Sequence, residues 1–179
     1  MRRDARIRRD TLISAAEACF SESGYRVSLE EIAERAGVGR GTLYRNFKDR
    51  MALVLAIFDR EVERIEASFD HSLPLDRAIM QIVTGGARAS SLLARLSADL
   101  PLAEDSVAAF EALGERLIRL LEPMVAREHA AGTLRRDVGA RQIVLASRMV
   151  ASLLNSKRHK AEDEIQQALA MLLTGLRPR

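Results

Sequence analysis

The segment from Ser28 to Phe47 starts and stops two short helices in succession, and that punctuation restricts the fold more than any other stretch of the 179-residue chain. Ser28 can accept from the first free amides, Glu31 can reach back to the Ser28 amide, and Val27 can pack on Ile32, a capping box with a hydrophobic staple. Leu29, Ile32, Ala33 and Ala36 share one apolar face, and Gly37 closes this helix after barely two turns. After Gly37-Val38-Gly39, the sequence Arg40-Gly41-Thr42-Leu43-Tyr44-Arg45-Asn46-Phe47 can turn Val38, Leu43 and Phe47 inward while its other side chains face out. Ahead of both lies a one-sided stripe, Leu12, Ile13, Ala16, Cys19 and Phe20, ending at Gly24. Three short helices, the last two joined by a glycine-containing turn, are what a helix-turn-helix requires to lay its second helix in a major groove.

The remainder is predicted helical as well. Aromatics are 4% of the chain with no Trp, against 47% hydrophobic residues, 4 prolines and 10 glycines, so the core has to come from Leu, Ile, Val, Ala and Met. An all-α class of about nine helices follows. We expect residues 1–48 to form a helix-turn-helix domain with a basic arm, and residues 49–179 a helical bundle. Asp49 can cap a helix reaching about Phe69, with Leu55, Phe58, Val62, Ile65 and Phe69 at spacings of three and four. Pro74 suits the first turn of the next helix, which Gly85-Gly86 should bend, end or open to a close neighbour. A short helix is expected around Ser91 to Leu96. A long one from Asp105 or Ser106 should be kinked or ended by Pro123.

The last two helices, about Ala140 to Asn155 and Ala161 to Thr174, flank the basic linker Ser156-Lys157-Arg158-His159-Lys160 and carry apolar residues on more than one side. Two apolar faces need two partners. One should face inward, and Val150, Leu153, Ile165, Leu169 and Leu172 are expected to pack on a second copy in a two-fold four-helix interface; burial within a monomer is the alternative.

Charge is unevenly placed. Residues 1–50 hold 11 Lys and Arg against 8 Asp and Glu, while residues 51–179 hold 17 of each. Arg2, Arg3, Arg6, Arg8 and Arg9 against Asp4 read as a flexible basic arm, or else a solubilising tail. The single cysteine, Cys19, permits no intrachain disulfide and no cysteine metal cluster, which fits a reducing cytoplasm. No apolar run approaches the roughly 18 residues of a membrane span, and no signal-peptide pattern opens the chain. His71, His129 and His159 are scattered, with no nucleophile constellation and no phosphate-cradling loop, so neither enzyme activity nor a metal or cofactor is expected.

Gly24-Tyr25, Ile32-Ala33, Ala36-Gly37-Val38 and Gly41-Thr42-Leu43-Tyr44, followed by Phe47 and a basic residue at position 50, resemble the DNA-binding domain of the tetracycline-repressor (TetR) family over about residues 8 to 55. Two positions depart from the family pattern. Gly39 stands where Ser or Thr is usual, and Asn46 where His or Tyr is common, which leaves the role of Asn46 open between backbone contact and structural hydrogen bonding.

Read physically, Arg40 opens the recognition helix with the reach to contact a guanine edge in bidentate fashion. Gly41 would let DNA approach closely, and the Thr42 hydroxyl and Tyr44 phenol can donate to phosphates. Arg45, Lys48 and Arg50 add charge, and the Ser28 amide can meet a phosphate. In TetR-like proteins the position of Arg50 usually holds a phosphate-anchoring lysine. The resemblance further implies a repressor, dimeric on a palindromic operator, released by a small-molecule effector in the C-terminal domain. Met80, Phe110, Leu113, Leu117, Met149 and Leu153, with Arg88 as polar handle, are candidate pocket residues, although a filled core explains the same set. A helical ligand-binding or interaction protein that does not bind DNA is the competing class.

Overall fold

The computed structural model describes the backbone of residues 2–96, 103–153 and 161–178, and their side chains except at 2, 3, 86–91, 93–95, 151–153, 161, 162, 164 and 165. Among the described residues there are eight helices and no strand: α1 (Arg2–Ser23), α2 (Leu29–Arg35), α3 (Arg40–Asn46), α4 (Arg50–Ser68), α5 (Leu75–Leu96), α6 (Glu104–Ala130), α7 (Ala140–Leu153) and α8 (Ala161–Leu176). The chain divides into two compact units, one of Met1–Arg60 with Leu92–Phe110, the other of Glu61–Ser91 with Glu111–Arg179.

In the first unit α2 packs on both α1 and α3. Leu12, Ala16, Cys19 and Phe20 of α1 meet the requirement of one buried face, and with Ile32, Leu43, Leu53 and Ile57 they form a core in which no member is more than 1% exposed. Two guanidinium groups tie the helices at the rim. Arg35 of α2 donates through both terminal nitrogens to the Glu22 carboxylate of α1, which holds that carboxyl below its usual range. Arg60 of α4 donates to the Ser14 hydroxyl at 2.8 Å and to Glu17, both on α1. Cys19 lies in the core, where burial pushes its thiol up against the smaller opposing effect of Arg35.

The second unit has its own core, built from Ile79, Leu121, Met124, Leu134 and Ile143, each at most 1% exposed, with Leu169 and Leu176 of α8 added to it. His129 is structural, its Nε2 lying 3.0 Å from the carbonyls of both Arg135 and Val138. Arg127 donates to the carbonyls of His71 and Leu73, which fastens the α4–α5 connection to α6. These long-range ties use backbone acceptors that no helix satisfies.

Three sequence expectations change, and those for Gly85-Gly86 and Pro123 are narrowed to one of the outcomes they allowed or lose one of them. The arginine-rich start is helical from Arg2, not a flexible arm: it contains no Gly or Pro, Asp4 sits in the first turn where it complements the helix dipole, and Arg8 follows Asp4 at the i,i+4 spacing. Gly85-Gly86 does not end α5, so the expected short helix at 91–96 is the last part of α5 and the helix count falls to eight among the described residues. A Cβ at Gly85 would stand 3.1 Å from Ile65 Cγ1, so this glycine permits a close neighbour. Pro123 does not end α6. It and Arg119, whose carbonyl loses its intrahelical donor, are both exposed, so water can take that place. Pro74 precedes α5 instead of occupying its first turn, and its carbonyl accepts from the Ala78 amide at 3.0 Å. The basic linker 156–160 lies outside the described residues.

Candidate nucleic-acid interface

The scaffold of the candidate interface is local. Ser28 caps α2, its Oγ accepting from the Glu31 amide at 3.0 Å. Gly37, at φ +65°, takes the left-handed turn that a side chain would strain, and donates to the Glu34 carbonyl at 2.9 Å while the Val38 amide donates to Ala33 at 3.0 Å. Gly39 then caps α3 through its carbonyl alone, with no side-chain bond. Leu43 and Phe47, 1% and 2% exposed, bury one side of α3. The opposite side is thereby committed to solvent.

That side carries Arg40, Gly41, Tyr44 and Arg45, all exposed, with Lys48 just beyond; Thr42 is half-buried. Tyr44 is 49% exposed, too much for a packing residue. The chain's own packing does not demand glycine at 41, since a Cβ there would meet nothing nearer than Arg45 Nη1 at 3.7 Å. Arg45 Nη2 donates to the Thr42 hydroxyl at 3.1 Å, so the two lie on one surface. Asn46 acts as a structural hydrogen bonder, its Nδ2 donating to the Thr42 carbonyl at 2.7 Å. Asp49 caps α4 by accepting from the Ala52 amide at 2.7 Å and lies 3.9 Å from Lys48 Nζ. Arg50 is half-buried: its guanidinium stands 5.5 Å from the centre of the Tyr25 ring, and its Nε is buried without a hydrogen-bond partner. Burial also raises the Tyr25 phenol, with Arg50 opposing.

One neighbour of this surface escaped the sequence reading. Arg9 of α1 lies over the Phe47 ring at 4.5 Å and donates to the Asn46 carbonyl at 3.5 Å, which places a cation at the C-terminal end of α3. The contact spans 37 positions, and only the density of arginines in the first nine residues hinted at it.

The residues expected in a ligand pocket and a dimer face are not gathered in the same way. Met80 and Leu117 pack partly buried against the core of the second unit, and Phe110 and Leu113 are half-buried. Phe110 sets its edge against Phe58 at 5.3 Å. Met149 is 65% exposed. The side chains of Arg88, Leu153 and Ile165 lie outside those described. Val150 and Leu169, expected at a subunit interface, are 6% and 4% exposed within their own unit, and Leu172 packs partly buried against the same core. Among the described side chains of α7 and α8, the large apolar ones that are exposed are Leu145, Met149 and Met171, at 60%, 65% and 77%. An open cleft of about 450 Å³ in the second unit is lined by Leu75, Asp76, Glu128, Thr133, Leu173 and Arg177 among others, none of them an expected pocket residue. Among the described residues no three His, Cys, Asp or Glu side chains come together to hold a metal, and no helix is long and apolar enough to cross a membrane.

Residues 12–57 match the family described as bacterial regulatory proteins, tetR family. The chain is 41% identical over 68 residues to the HTH-type transcriptional repressor KstR of Mycolicibacterium smegmatis, a match covering 37% of this chain and 33% of that one, so it spans about a third of the curated relatives it matches. Among solved structures it is similar to the TetR transcriptional regulator SCO0520 from Streptomyces coelicolor, at 30% identity over 95% of this chain and 98% of that one, with a TM-score of 0.62. It is also similar to the transcriptional regulator FadR from Bacillus subtilis in complex with stearoyl-CoA, with a TM-score of 0.73 over 93% and 98% of the two chains; at 16% identity this shows likeness of fold alone.

Proposed function

Since the chain belongs to the TetR family of bacterial helix-turn-helix transcriptional regulators, we propose that it is a repressor that binds a palindromic operator as a homodimer and leaves it when a small molecule binds. One observation carries the DNA-binding part: α3, held by buried Leu43 and Phe47, presents Arg40, Gly41, Tyr44 and Arg45 on a single exposed side next to Lys48. Arg40 is assigned to a guanine edge, worth about 1–3 kcal/mol of discrimination. Thr42, Tyr44, Arg45, Lys48, Arg50 and the Ser28 amide are assigned to phosphates, which fix the register of the protein on the duplex without specifying sequence. Arg50 suits that task because Tyr25 already holds its guanidinium, leaving little rotamer freedom to lose.

In this reading residues 1–48 form the DNA-binding domain, and residues 49–179 bind the effector and the second copy. The dimer face is assigned to Leu145 and Met149, one turn apart on α7, with Met171 of α8, because large apolar side chains exposed at a surface call for a protein partner. The effector has a substantial apolar part and lies against Met80, Leu113 and Leu117; a protein of the same fold was solved with stearoyl-CoA. Effector binding acts by changing the separation of the two recognition helices, which must match one helical turn of DNA, about 34–36 Å.

Selection of bound sequences from random duplexes tests the proposal. The expected product is a palindrome whose half-sites lie about 10–10.5 base pairs apart, bound less tightly as salt rises. Arg40→Ala should relax preference at one base pair, whereas Arg50→Ala should weaken all sequences equally and flatten the salt slope by about one. Failure of the chain to shift any duplex at low salt would remove the DNA-binding assignment.

A further inference from the structure

We propose that Glu30 of α2 is a specificity-determining positioning residue for Arg40: it buttresses the guanidinium against a matching base while repelling duplexes that offer none. The inference rests on the DNA-binding reading and names a residue that reading does not use. Its basis is a contact by which the outward face of α3 reaches another helix, Arg40 Nη1 at 3.9 Å from Glu30 Oε1. Arg45 is instead engaged within α3 by Thr42, and Lys48 by the adjacent Asp49.

The geometry gives this pair an orienting role and a limited strength. The backbone between the two residues is fixed: Gly37 and Val38 donate back into α2, and the Thr42 amide donates to Gly39 at 2.9 Å. The backbones of Glu30 and Arg40 are therefore held at a set separation, within which the carboxylate reaches the guanidinium beside the start of α3. Both side chains are open to water, Arg40 at 73% and Glu30 at 40%, so the pair is worth a factor of about two to five, too little to withhold Arg40 from DNA. A guanidinium has five N–H donors in one plane. Two of them satisfy guanine O6 and N7, and another remains for Glu30, which then fixes the plane of the fork.

On a duplex without the matching base the balance reverses. Arg40 gains no bidentate contact, and the Glu30 carboxylate repels phosphates near the surface without compensation. The same side chain thus weakens arbitrary binding and sharpens selected binding. A purely structural role is available to Glu30 as well, since an acid in the first turn of α2 complements the helix dipole. That role would alter melting temperature without altering base preference.

The test compares the full-length wild type, Glu30→Gln, Arg40→Ala and the double variant. The probes are the selected operator, the same duplex changed at the base pair where Arg40→Ala loses preference, and a scrambled duplex, each across a range of salt. Glu30→Gln should bind the scrambled duplex about two- to fivefold more tightly and lose about two- to fivefold of discrimination at that base pair. In the Arg40→Ala background, Glu30→Gln should leave the remaining discrimination unchanged, and Glu30→Asp should restore part of what Glu30→Gln loses. Unchanged discrimination in Glu30→Gln, or an equal loss with and without Arg40, overturns the assignment alone. No binding by the wild type at low salt overturns the DNA-binding reading and this assignment with it.

Discussion

Helices α3 and α7 each leave one side uncovered by their own unit, and the two sides differ in kind. The first carries Arg40, Tyr44 and Arg45; the second carries Leu145 and Met149, with Met171 exposed on α8. A polar exposed side is the ordinary condition of a surface helix and by itself says nothing about partners. On α3 it becomes informative because the helix is short, rigidly set by a glycine turn, and placed in the part of the chain that holds all the excess positive charge. An apolar exposed side is informative at once, since each large side chain left in water forgoes about 1.5–3 kcal/mol that a partner could recover. The proposed partners, DNA for the first side and a second copy for the second, match these two chemistries.

Mutations of neighbours on opposite sides of α3 should act on different properties. Leu43→Ala should cost about 2–5 kcal/mol of stability in chemical denaturation, because Leu43 is only 1% exposed. Tyr44→Ala should cost less than about 0.5 kcal/mol in the same assay and yet weaken binding to every duplex. Equal destabilisation by the two would mean that α3 does not face as described.

On α7, Leu145→Asp or Met149→Asp should leave helical content intact while raising the dimer dissociation constant more than about tenfold, equivalent to 1.4 kcal/mol, in sedimentation velocity. Val150→Ala should instead act chiefly on stability, since Val150 is 6% exposed and belongs to the core of the second unit. A dimer that survives the aspartates but dissociates with Val150→Ala would return the interface to the other face of α7.

A smaller effect is expected where α1 touches α3. Arg9→Ala removes a cation over the Phe47 ring and should lower stability by about 0.5–1 kcal/mol, with Arg9→Lys recovering part of it. Because Arg9 also places charge at the C-terminal end of α3, binding to all sequences should weaken together. A change in base preference would show that Arg9 shares in reading sequence, a task proposed above for Arg40 of α3.

These residues also show what was legible in the sequence. The cap at Ser28, the turn at Gly37 and the buried pair Leu43 and Phe47 could all be read, because each follows from neighbours within a few positions. The basic start was misjudged because clustered charge suggested disorder, whereas helix propensity and the absence of a breaker made it part of α1. The inward and outward faces of α7 could not be told apart: Val150 and Met149 are adjacent, both apolar, and only the packing of α5, α6 and α8 decides which is covered. Arg9 was missed for the same reason, its partners lying 37 and 38 positions away.

The smallest effect compares the two units through one carboxylate in each. Glu22 accepts from both terminal nitrogens of Arg35, and Glu66 accepts from Arg116, through Nε at 3.0 Å and through Nη2; both carboxyls are held below their usual range by that donation. A folded pKa below the unfolded one means stability that is fully present above the ordinary carboxylate range and lost as pH falls through the folded value. Glu22→Gln and Glu66→Gln should therefore be less stable than wild type at neutral pH and indistinguishable from it in acid, as followed by denaturation at each pH. The ties differ in exposure, with the Glu22 side chain at 58% and Glu66 at 32%, so added salt should erase the difference due to Glu22 first. Reversal of that order would mean that screening at these sites is not set by exposure of the carboxylate, and that the rim of the first unit is better shielded than its surface suggests.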